Sequence, residues 1–179
     1  DPTPQTWDRF YEWLSSGYHG EMHYLSRRAE ERKNPSLLLE STQSVILAAK
    51  QYHTIQPTLP SSLNPFQSVV SRYAWGDDYH AIAADGLRKI VDFIHHQTEG
   101  QHQARWYVDT APILEKDFAA QSGIGWTGKH TNILSRTLGN WFFLGVILTS
   151  LKLEADRPEP NHCGTCTRCI DVCPTQAFV

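Results

Sequence analysis

Positive charge is scarce in this sequence. Lys and Arg number 16 against 19 Asp and Glu, a formal net charge of −3, so the strongly basic signature of many nucleic-acid binders is missing. Long apolar runs are absent too. The most apolar stretch without a charge, Thr137 to Leu151, has fifteen residues and contains Gly139, Asn140 and Gly145, too short to span a bilayer. No secretory leader is visible, because the opening DPTPQTWDRF is polar and starts with an acid. Repeats and low-complexity tracts are lacking. These absences lead us to expect a cytoplasmic, monomeric protein with no membrane partner. Cysteine is missing from the first 162 positions, and all four cysteines fall in the last seventeen. No initiator Met heads the chain and it stops six residues after Cys173, so a fragment of a longer protein is expected.

What is present suits a folded core. The 179 residues are 40% hydrophobic and 11% aromatic, enough for one domain and a small second one. Trp7 to Ser16 reads as a helix with Trp7, Phe10, Trp13 and Leu14 on one face and Gly17 as its stop. A short helix is expected over Glu21 to Arg28, and Pro35 can start a further turn. Val45 to Ala49, Ser68 to Ala74, Trp106 to Val108 and Trp141 to Thr149 read as strands. Pro57 to Pro65 reads as a loop. Asp77 or Asp78 can cap a long helix to about His96, with Leu87, Ile90, Val91 and Ile94 inward. Pro112 suits the first turn of a helix through Gln121, and Gly123 to Lys129 is a glycine-rich loop. Helices and strands mix without a regular βαβ alternation. The expected class is therefore α+β, with a central mixed sheet flanked by helices over residues 1–156 and a separate cysteine segment over 157–179.

That segment, HCGTCTRCIDVCP, spaces its thiols as Cys163-x2-Cys166-x2-Cys169-x3-Cys173-Pro174. The run is the bacterial ferredoxin type for [4Fe–4S] clusters, in which the fourth cysteine ligates a different cluster from the first three. Two intervening residues let successive thiolates curl around one cluster. A disulfide is disfavoured in a cytoplasmic chain, and zinc ordinarily takes two separated C-x2-C pairs. Two such clusters need about eight thiolates, so the remaining ligands must come from outside these residues.

Four segments together resemble the epoxyqueuosine reductase family: SRYAWGDDYH (Ser71 to His80), YVDTAPILEK (Tyr107 to Lys116), GIGWTGKHTNIL (Gly123 to Leu134) and HCGTCTRCIDVCPTQAF (His162 to Phe178). The resemblance implies a cobalamin-binding catalytic domain followed by the start of a ferredoxin-like domain. It implies reduction of epoxyqueuosine to queuosine in a tRNA anticodon, with cobalamin as the reactive centre. Two [4Fe–4S] clusters would feed it, themselves fed by an unidentified electron donor. By that resemblance Asp109 is the proton donor, its pKa raised by burial, and Arg32, Ser71, Arg72, Asp109, Lys129, Thr131, Ile133 and Gly145 contact cobalamin. Cys163, Cys166 and Cys169 ligate one cluster and Cys173 the other. The sequence departs from the family in lacking its first few dozen residues and everything after the first cysteine group.

Plainer readings compete. Asp109 suits a helix N-cap. Gly145 suits a strand bulge. Ser71 suits a surface hydroxyl and Arg72 and Arg32 suit solvated cations, and Arg27, Arg28, Arg32 and Lys33, interleaved with Glu30 and Glu31, suit either a tRNA contact or a salt-bridged helix. The loop around Lys129 contains G-x-G-x-x-G, but no strand feeds it directly, so a dinucleotide site is a weak reading. Asp78-x-His80 partly matches a cobalt-ligating signature, yet Ala83 stands where that signature has Gly, so no cobalt–His80 bond is expected. Alternative functions are a reductive-dehalogenase-like corrinoid enzyme and a non-catalytic ferredoxin-type electron carrier.

Overall fold

The computed structural model describes residues 3–54 and 68–178. The loop expected over Pro57 to Pro65 lies outside them. The N-terminal helix α1 spans Trp7–Ser15, buries Trp7 and Leu14, and ends before Gly17, whose φ of 73° only glycine adopts at little cost. The short helix expected over Glu21 to Arg28 is α2 (His23–Arg27), and a second short helix, α3 (Ala29–Lys33), follows it, the two separated because Arg28 leaves helical geometry at φ −125° and ψ 37°.

Three strands form the main sheet in the order β1, β5, β2: β1 (Ser44–Gln51), β5 (Phe142–Thr149) and β2 (Ala104–Tyr107). The α+β class holds. The pairings, however, are all antiparallel among the described residues, with Ala48 opposite Gly145 and Tyr107 opposite Val146. β1 and β2 run in the same direction but never touch, since β5 lies between them. Hydrophobic periodicity reports strands and not their neighbours, which is why the expected mixed sheet is not seen.

Both faces of β5 are covered, so its residues read as a continuous apolar run. Val146, Ile147, Leu148 and Thr149 have no exposed surface. Ile147 faces the long helix α4 (Tyr79–Gln97) with Leu87 and Val91. Val146 and Leu148 face the other layer, packing with Phe118 of α5 (Glu115–Gln121) and with Ile113. Asp78 caps α4, accepting the His80 N–H at 2.9 Å. Ile90, expected inward, is 36% exposed because it lies about 60° around the helix from Leu87, off the buried stripe.

Two further expectations change. Ser68 to Ala74 forms no strand: Val69 and Val70 are exposed, and the segment closes in a 3-10 turn, Arg72–Ala74, after Ser71. Pro112 does not open α5, which starts three residues later, because the chain first turns at Asp109 with a φ of 52°. The glycine-rich segment is a small hairpin, β3 (Trp126–Thr127) against β4 (Ile133–Leu134). The cysteine segment is irregular apart from α6 (Arg168–Asp171). Among the described residues no helix is long and apolar enough to cross a membrane.

Candidate active site

One end of the sheet gathers the reactive groups. The last residue of β1, Gln51, pairs with the first of β5, Phe142, and β2 ends nearby at Tyr107. The start of α4 reaches the same end, where Tyr79 stacks on Phe143 with centroids 4.0 Å apart and planes at 5°. Asp109 follows the buried Val108. Its carboxylate Oδ2 accepts the Tyr79 hydroxyl at 2.5 Å and lies 3.6 Å from His80 Nε2. His80 Nδ1 is 2.8 Å from Asp78 Oδ1, while its Nε2 is buried with no hydrogen-bond partner among the described residues. The Asp109 N–H donates to Glu115 Oε1 at 3.0 Å.

Exposure and burial divide between two carboxylates. The Asp109 side chain is 60% exposed, contrary to the buried acid expected at this position. Glu115 is the half-buried member: its partial burial, then the neighbouring Asp109 charge, push its pKa up to about 7. Burial and the hydrogen bond to Asp109 also hold the Tyr79 hydroxyl above its ordinary pKa. The helix-cap reading of Asp109 fails, because Leu114 occupies the cap position of α5.

Aromatic contacts extend from this group to a depression of about 410 Å³ lined by Tyr52, Ser71, Arg72, Trp75 and Trp141 among others. Tyr52 packs on Phe143 at 4.5 Å, and Tyr52 in turn stacks on Trp141. The Arg72 guanidinium lies 4.0 Å over Trp141 and 5.5 Å over Trp75, and donates to the Thr54 carbonyl at 3.1 Å. A broad, open, aromatic-walled site with a fixed cation fits a large flat group such as a corrin.

On the other side, Lys116 donates to Asn132 Oδ1 at 2.8 Å, tying α5 to the β3–β4 hairpin. Within the hairpin Thr131 has a φ of 68° and Ile133 is buried. The hairpin holds the cysteine segment. The Lys129 ammonium donates to the carbonyls of Gly164 at 2.9 Å and Cys166 at 3.0 Å. The Trp126 indole N–H donates to Cys163 Sγ at 3.3 Å, and that bond is the main reason the Cys163 thiol sits below its ordinary pKa. Cys173 Sγ accepts the Ala177 N–H at 3.4 Å; its thiol is lowered too, first by its contact with Thr175. Soft thiols with N–H donors aimed at sulfur fit an iron–sulfur ligand set. Among the described residues no three Cys, His, Asp or Glu side chains are yet gathered closely enough to hold a metal ion.

A family model described as epoxyqueuosine reductase QueG, DUF1730, matches residues 32–110, ending one residue past Asp109. An epoxyqueuosine reductase of Synechocystis sp. is 42% identical over 171 residues, covering 96% of this chain and 57% of that protein. One from Vibrio cholerae is 45% identical over 168 residues, covering 93% and 45%. Over nearly its whole length this chain is similar to epoxyqueuosine reductases. Among solved structures, a selenomethionine-labelled epoxyqueuosine reductase matches with a TM-score of 0.86 at 30% identity, over 99% of this chain and 47% of that one. An epoxyqueuosine reductase with an epoxyqueuosine-modified tRNA-Tyr stem loop matches at 0.79 and 28%, over 99% and 46%. One from Bacillus subtilis, with an aspartate catalytic loop swung out of the active site, matches at 0.78 and 26%, over the same shares. The chain spans about half the length of the curated relatives it matches.

Not every residue assigned through the epoxyqueuosine reductase resemblance faces this site. Ser71, Arg72 and Asp109 border it, and Thr131 and Ile133 belong to the adjoining hairpin. Lys129 is engaged with the cysteine backbone. Arg32 is 7% exposed and donates to the carbonyls of Leu25 and Arg28 at 3.3 and 3.1 Å; burial, then the adjacent Arg28, hold its pKa below the ordinary value. Gly145 is buried in β5, where a Cβ would come within 2.7 Å of Leu87 Cδ1. Its missing side chain makes room for Leu87 on the α4 face of the sheet. Glu115, Tyr79 and Trp126 carried no sequence signal of their own, since each acts on a partner that only the fold brings near.

Proposed function

We propose that this chain works in the reduction of epoxyqueuosine to queuosine in tRNA, with Asp109 as proton donor. The overall change consumes two electrons and two protons, breaks both epoxide C–O bonds, forms the ring C=C bond and releases water. Cobalamin bound beside the aromatic depression would supply the electron-rich centre that attacks the epoxide, and two [4Fe–4S] clusters would supply its electrons. The observation that carries the reading is the Asp109 group itself. A solvent-reachable carboxyl sits at the sheet end, held by Tyr79 and Glu115, beside a depression large enough for a flat cofactor. An exposed acid there can meet an entering nucleotide and give its proton to the departing oxygen. Ser71, Arg72, Thr131 and Ile133 are the proposed cofactor contacts, with Lys129 joining the hairpin to the cysteines.

Residues 1–156 are proposed as the catalytic domain and 157–179 as the beginning of the ferredoxin-like one. Cys163, Cys166 and Cys169 would bind one cluster and Cys173 the other. The remaining ligands would come from outside this chain. The reading includes a tRNA partner, a separate electron donor, and a cytoplasmic monomer. The test uses the full-length enzyme loaded with cobalamin and clusters. Asp109→Asn should abolish epoxide reduction while leaving the visible spectrum of bound cobalamin unchanged. Retained activity would remove Asp109 from its role, and no cobalamin binding by the wild type would remove the cofactor assignment.

A further inference from the structure

Asp109 holds a left-handed backbone conformation, with a φ of 52°, that is uncommon outside glycine and open to aspartate at modest cost. Two bonds converge on it from different elements. Tyr79 of α4 fixes the carboxylate, and Glu115 of α5 fixes the amide at 3.0 Å. The first acts on the reacting group and the second on the main chain beneath it. Glu115 has no part in the chemistry proposed above, yet its carboxylate is drawn in beside Asp109 and not out to solvent.

We propose that Glu115 is a positioning residue, a latch that keeps the Asp109 main chain in the turn that presents its carboxyl to substrate. This rests on the proton-donor role of Asp109. The latch needs an acceptor oxygen at Oε1 and not a negative charge. Glu115→Gln therefore preserves it, while Glu115→Ala removes it. Glu115→Leu fills the same space without an acceptor and serves as a second variant should the alanine protein fail to fold.

The experiment uses the full-length, cofactor-loaded enzyme and epoxyqueuosine-containing tRNA. Misplacing a reacting group slightly lowers turnover by about 100-fold, so Glu115→Ala and Glu115→Leu should lower kcat on that scale with KM little changed. Glu115→Gln should stay near wild type. Hydrogen exchange at the Asp109 amide should speed about tenfold in the alanine and leucine proteins, the equivalent of one typical hydrogen bond, and stay slow in the glutamine protein. Wild-type kcat in the alanine protein, or unchanged Asp109 exchange, overturns the latch. So does a glutamine protein as inactive as the alanine one with its Asp109 amide still protected, because charge would then be what matters. Activity surviving in Asp109→Asn overturns the reading beneath it, a result separable from every Glu115 outcome.

Discussion

At Gly145 the absence of one carbon atom decides the packing between sheet and helix. A Cβ there would meet Leu87 Cδ1 at 2.7 Å and Cδ2 at 3.0 Å, and Leu87 is only 3% exposed, so it has nowhere to move. Gly145→Ala should destabilise the fold by about 1–3 kcal/mol, the usual cost of overpacking, read as a lower Tm. Adding Leu87→Ala should recover part of that loss if the clash is the cause. This residue also shows how far single positions are legible. A strand glycine signals close approach, but not by what, and a ligand and a neighbouring leucine leave the same mark in sequence. Asp109 was legible through its motif. Its partner Glu115 was not, because a bond across six residues between a turn and the next helix has no periodicity to detect.

Among the elements, the long helix α4 and the central strand β5 were readable because each carries its own pattern, an apolar stripe in one and a continuous apolar run in the other. The β3–β4 hairpin was not, since two-residue strands show no alternation and its glycines read as a loop. Gly125 explains the tightness of that hairpin: a Cβ would lie 1.9 Å from the Leu134 carbonyl oxygen. The cysteine spacing was legible, whereas its docking on the hairpin was not. That docking bears on the proposed cluster at Cys163. A hydrogen bond to a ligating sulfur eases reduction, so Trp126→Phe should lower the midpoint potential of that cluster. The loss should be about 60 mV, a tenfold change in a one-electron equilibrium, measured by EPR-monitored redox titration, with the second cluster unmoved. An unchanged potential would mean that the indole only packs against the segment.

For the whole molecule, Glu115 ties stability to pH. Folded, it keeps its proton up to about pH 7, against 4.5 for the ordinary side chain. Between those values the folded state binds more protons than the unfolded one, so its contribution to stability falls as pH rises. Glu115 faces the charge of Asp109, the hydroxyl of Tyr79 and the ammonium of Lys116, and burial is the largest influence on it. Wild type should therefore lose on the order of 2 kcal/mol more than Glu115→Gln between pH 5 and pH 8, read from urea unfolding midpoints. Equal losses in the two proteins would show that Glu115 titrates normally.

Lys129 grips the carbonyl oxygens of Gly164 and Cys166 with its ammonium, and its main-chain N–H bears on the Cys163 thiol. A grip on main-chain atoms is indifferent to which side chains lie between the cysteines but counts residues strictly. Removing or adding one residue before Cys166 would bring a different pair of carbonyls under the ammonium and turn the thiols away. The clamp is thus a ruler: it tolerates drift in composition and polices length.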